Sequence, residues 1–99
     1  MRNYYHHQAW VTMDVLCNNL PSLLNRLFKE DSKSEQYSST VHSVCVSAFS
    51  PWKKKVRNTD SPVRASKLLH DRLMKADNLR DAMDAVNELT VVVRRHLRH

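Results

Sequence analysis

The chain has 99 residues, a formal net charge of +6, an apolar share of 41% and no glycine. That length and apolar content suit one domain with one modest core. The missing glycine excludes Gly-rich phosphate loops and argues against a hairpin-rich β protein, so Asn, Asp, Ser and the three prolines must make the turns.

The charge is unevenly placed. Residues 1–50 and 76–99 each balance to zero, whereas residues 51–75 hold eight bases against Asp60 and Asp71. The whole excess therefore lies in one quarter of the chain. Such a local patch steers an anionic partner better than the same charge spread evenly.

In chain order, Trp10, Met13, Cys17, Leu20, Leu24 and Leu27 are spaced 3, 4, 3, 4, 3. They define one stripe of a helix. Pro21 interrupts the run, and the unbroken phase of the stripe predicts a kink or a tight restart with both halves on the same core. The N-terminal MRNYYHHQAW lacks the apolar core of a signal peptide, and no run approaches the ~18 apolar residues of a membrane span. Cys17 and Cys45 sit in apolar stretches. Two cysteines make no disulfide framework, and they read as small buried hydrophobes in a reducing, cytoplasmic compartment.

Residues 30–40, EDSKSEQYSST, read as a polar loop or linker. In 41–49, Val41, Val44, Cys45, Ala48 and Phe49 fit a helical face, while Val44, Val46 and Ala48 fit an alternating strand. Helix is favoured, because no second convincing strand exists to pair with it. From Ser61 the pattern is firmer. Ser61 is placed to cap a helix with Pro62 in its first turn, and Ala65, Leu68, Leu69, Leu73 and Ala76 form its apolar stripe. Asp77 and Asn78 break the chain. A last helix follows with Leu79, Met83, Val86, Leu89, Val93 and Leu97 on one side, acids near its start and Arg94, Arg95 and Arg98 near its end, as the helix macrodipole favours. The fold class expected is all-α: a small single-domain bundle of three to five helices over 1–99, with a polar loop at 30–40, a basic turn at 50–64 and a C-terminal αα-hairpin over 61–98.

The stretch SPWKKKVRNTDSPVR, residues 50–64, holds two Ser-Pro steps, Trp52 and a cluster of bases. Its Ser-Pro-x-Lys/Arg steps resemble the short basic turns of chromatin tails, and PWKKKVR resembles a nuclear-import signal; each resemblance covers only a few residues. Three uses fit these residue types. Lys53, Lys54, Lys55, Arg57, Arg64 and Lys67 can neutralise phosphates, with Trp52 stacking on a base or sugar. Phe49, Trp52 and Val56 can instead form an apolar anchor for a protein, ringed by the same bases. The serines also match a proline-directed kinase pattern, and phosphate there would be tolerated at a helix start. No helix-turn-helix spacing or zinc-finger ligand pattern is present, so any nucleic-acid binding would follow the backbone.

Histidines 6, 7, 42, 70, 96 and 99 follow no metal-ligand spacing, and Arg94, Arg95 and Arg98 surround the last pair. Neither cysteine has a local base, and Asp81, Asp84 and Glu88 read as a solvated face with Arg80 pairing Asp84. No cofactor, metal or catalysis is expected. An approximate heptad through Leu79, Ala82, Val86, Leu89 and Val93 offers a homodimer through the C-terminal helix, but packing on the helix from 62 to 76 and on the first helix is the preferred use of that stripe. The expectation is a non-enzymatic protein that docks on a larger nucleic-acid-processing protein or complex and modulates or inhibits it, of the type phages and plasmids use against host nucleases, polymerases or defence complexes. The alternative is direct, weakly sequence-specific binding of DNA or RNA through 51–75.

Overall fold

The computed structural model describes residues 2–48, 57 and 60–98, the first three of them by their backbone alone. The protein is all-α. Among the described residues four helices surround one core: α1 (Arg2–Leu27), α2 (Tyr37–Ser47), α3 (Ser61–Lys75) and α4 (Leu79–Leu97), with a two-stranded hairpin between α1 and α2. No helix of the described residues is long and apolar enough to cross a membrane.

Every member of the α1 stripe, from Trp10 to Leu27, is buried. Pro21 lies inside the one continuous helix, so the chain carries it without a restart. Proline there removes a backbone donor in mid-helix, and the burial of Leu20 and Leu24 on either side offsets that loss.

Residues 30–40 are not one polar loop. Phe28–Lys29 pairs antiparallel with Ser32–Lys33 in the register Phe28↔Lys33 and Lys29↔Ser32. Glu30 and Asp31 make the turn at φ 53° and 61°. A two-residue hairpin loop of this kind needs left-handed backbone at both positions, where glycine or asparagine is usual. Asp31 repays its strain by accepting a hydrogen bond from the Leu79 amide at the start of α4 (3.3 Å). From Tyr37 the polar stretch is already helix.

In α2, Tyr37, Val41 and Cys45 are buried at helical spacing, which decides the ambiguous 41–49 stretch for helix as far as it is described. Tyr37 is the pin of this region. Its hydroxyl donates to the Leu73 carbonyl (2.6 Å), and its ring meets Phe28 edge-on at 4.9 Å. Lys33 lies 5.0 Å above the ring, and its Nζ donates to the Met74 carbonyl (3.0 Å). Two side chains thus satisfy carbonyls in the last turn of α3, which the helix itself cannot do.

The start of α3 is one residue earlier than Ser61 as cap implies. Asp60 is the N-cap residue, Ser61 opens the helix and Pro62 is buried in its first turn. The Asp60 carboxylate accepts from the Arg57 amide (2.8 Å) rather than capping α3. The buried side is Pro62, Ser66, Leu69, Leu73 and Ala76, so Leu68 does not belong to it and stands 62% exposed. The chain then turns through Asn78, whose side chain caps α4 by accepting from the Asp81 amide (2.8 Å). The α4 stripe is buried at Ala82, Val86, Leu89 and Val93, against α1 and α3, so the approximate heptad is consumed inside the fold.

Candidate interaction surface

Phe49, Trp52, Lys53, Lys54 and Lys55 lie outside the described residues, as does Val56. Of the basic segment the structure places Arg57, Arg64, Arg72, Lys67 and Lys75. Arg57 is exposed in a turn closed by the Asp60 amide donating to its carbonyl (3.0 Å). Arg64, Lys67 and Lys75 are all exposed on the outer side of α3. The period of the helix dictates this: with positions 62, 66, 69, 73 and 76 buried, positions 64, 67, 68, 71 and 75 point outward.

The outer side of α3 is not a plain phosphate comb. Leu68 stands among the bases, and the exposed Asp71 interrupts them. Arg72 donates to Glu88 of α4 and so spends its charge within the fold. Glu88 is thereby tied to α3, whereas the pairing expected within α4, Arg80 with Asp84, is not formed.

Three arrangements were invisible to local pattern because their members are far apart in sequence. His42 of α2 and His70 of α3 share a hydrogen bond (Nδ1 to Nε2, 3.0 Å), and the other ring nitrogen of His70 is 3.1 Å from the Asp71 carboxylate. This string sits beside the basic side of α3 and ties it to α2. Trp10 of α1 stacks on His96 of α4 with ring centroids 4.0 Å apart. An apolar groove between α1 and α2, lined by Val11, Val15, Leu16, Val44 and Ala48, leaves Val15 half exposed.

The cysteines are chemically quiet. Both are free and buried. Burial pushes the Cys17 thiol up, and burial together with the neighbouring Cys17 pushes Cys45 up to about 11. A thiol held protonated is a poor nucleophile and a poor metal ligand. Among the described residues no group of three His, Cys, Asp or Glu side chains is placed to hold a metal ion.

No known protein family matches the chain, and neither any curated protein nor any solved structure is detectably similar to it.

Proposed function

We propose that this protein is a non-catalytic docking protein that binds a larger nucleic-acid-processing protein or complex and modulates or inhibits it. The observation that carries the reading is the make-up of the outer side of α3, where Arg64, Lys67 and Lys75 frame the exposed Leu68 within the quarter of the chain that holds the entire charge excess. A base-ringed apolar residue suits an acidic protein surface: the bases steer the encounter and set orientation, and the apolar centre supplies burial. Phe49, Trp52, Lys53, Lys54, Lys55 and Arg57 extend the same composition. A phosphate backbone asks for cations in series, and Leu68 and Asp71 interrupt that series. Direct nucleic-acid binding is therefore the second reading, resting on the local +6 alone.

The test is a salt series with mixed-sequence DNA and RNA, for the wild type, Trp52→Ala, and Lys53→Ala/Lys54→Ala/Lys55→Ala. Docking on a protein predicts nucleic-acid binding no tighter than the non-specific range, roughly 1–100 µM, and negligible at physiological salt. A cognate protein complex should survive moderate salt and fail in Trp52→Ala or Leu68→Glu. Tight nucleic-acid binding that collapses with salt and in the triple-lysine variant would replace the docking reading with the direct one.

A further inference from the structure

The outer side of α4 carries a second stripe at heptad spacing, distinct from the buried one: Asp81, Asp84, Glu88, Val91, Arg95 and Arg98. All six are exposed. The order along the helix is acid, acid, acid, valine, base, base. The helix macrodipole favours acids at the start and bases at the end. It does not account for Val91 in the middle of a solvent-facing stripe. Val91 is 56% exposed and Val92 beside it 37%, and Leu68 of α3, at 62%, lines the same shallow groove as Val92. Val92 and Leu68 thus share one groove beside the stripe, and Val91 lies on the stripe itself, so exposed apolar surface flanks and interrupts its charges.

The stripe identifies its own occupant. Reversed end to end, it is complementary to itself. Laid antiparallel on a second copy about a two-fold axis between Glu88 and Val91, Asp81 meets Arg98 of the other copy, Asp84 meets Arg95, and Val91 meets Glu88 on either side of the axis. An isologous contact requires that pairing of residue i with j and j with i. Antiparallel helices packed through heptad positions give it without distortion. Parallel packing would set acid on acid and base on base along the whole length, ~25 Å from Asp81 to Arg98.

We infer that a second copy of this chain docks antiparallel on the outer side of α4, with Leu68 at its edge, to form a two-fold dimer. The inference does not depend on the proposed function, because the stripe lies on α4 and shares only Leu68, at its edge, with the docking side of α3. The small apolar content of the stripe and its exposed ion pairs make the dimer weak.

The decisive experiment is sedimentation velocity on the wild type up to ~1 mM, on Asp84→Arg and Arg95→Asp separately, and on the double variant Asp84→Arg/Arg95→Asp. The wild type should dimerise with a constant that weakens with salt. Each single variant should weaken self-association roughly tenfold, since its homodimer sets like charges together twice. The double variant should recover wild-type affinity, because swapping both charges in one chain restores the opposite-charge contacts only if positions 84 and 95 face each other across the axis. Val91→Glu, at an outward position, sets a second carboxylate against Glu88 of the other copy and should abolish the dimer while the far-ultraviolet circular dichroism stays native. A wild type monomeric throughout, a double variant no tighter than the single ones, or a dimer indifferent to Val91→Glu would each overturn the inference.

Discussion

Tyr37→Phe isolates one hydroxyl in a fully buried side chain, 1% exposed. The change keeps the ring, its edge contact with Phe28 and its place under Lys33, and deletes the bond to the Leu73 carbonyl. That carbonyl also accepts from the Ala76 amide at 3.3 Å, so it retains one partner after the change. The expected loss is therefore the net worth of a buried hydrogen bond, about 1–1.5 kcal/mol, without the larger penalty of an orphaned acceptor. In a domain of this size it lowers the melting temperature by ~5–10 °C. Urea titration should show an earlier midpoint at unchanged slope, because the surface exposed on unfolding is the same. The same residue gives an alkaline signature. Burial pushes the Tyr37 hydroxyl up to about 12, from an ordinary value near 10. A folded-state value raised above the unfolded one contributes stability that is fully present below the unfolded value and lost as pH rises through the folded one. Tyr37→Phe should abolish that part of the stability loss between pH ~10 and 12. A Tyr37→Phe variant within about 0.3 kcal/mol of wild type at neutral pH would refute the reasoning, since α2 and α3 would then not be pinned by this bond.

Asn78→Ala should cost about 1 kcal/mol by urea titration, since it leaves the Asp81 amide without its cap; Asn78→Gly should cost only a few tenths more than Asn, and equal losses would speak against a capping role. Pro21→Ala should stabilise the protein by ~1–3 kcal/mol, because it restores a mid-helix donor within α1, and a destabilised variant would mean that the proline ring packs better than its exposure implies. Both cysteines should react slowly with a thiol reagent at pH 8 and rapidly in denaturant, and stability should fall as pH rises from the ordinary thiol value through about 11 as Cys45 ionises; prompt native-state labelling of both would contradict their burial.

The features legible in the sequence are those carried by one helix's own period. The α1 stripe could be read through Pro21 because six apolar residues keep phase on both sides of it. Asn78 as a break and the αα-hairpin of α3 and α4 followed from polar residues between two such stripes. Phase failed where two leucines adjoin. Leu68 and Leu69 are interchangeable to a periodicity argument, and the buried Pro62 and Ser66 turn the helix so that Leu69 goes inward. The hairpin at 28–33 left no trace, since its strands are two residues long and its turn uses Glu30 and Asp31 where glycine or asparagine is the usual signal. The contacts of Tyr37 with Leu73, of His42 with His70 and of Trp10 with His96 join separate helices, which no local pattern encodes. Of the candidate site, Arg57, Arg64 and Lys67 are placed at the surface, and the exposure of Leu68 beside them was not legible in the sequence.

The stacking of Trp10 on His96 joins residues separated by nearly the whole chain, and α4 covers the apolar side of α1. During synthesis α1 emerges first and its cover emerges last. At ~5–20 residues per second the stripe from Trp10 to Leu27 waits about 4–14 s without its partner. Until α4 arrives, the nascent chain exposes apolar surface of the kind that makes incompletely folded chains prone to aggregate. Slower synthesis of the α4 region lengthens that exposure, and a chain truncated within α4 leaves the apolar side of α1 partly uncovered.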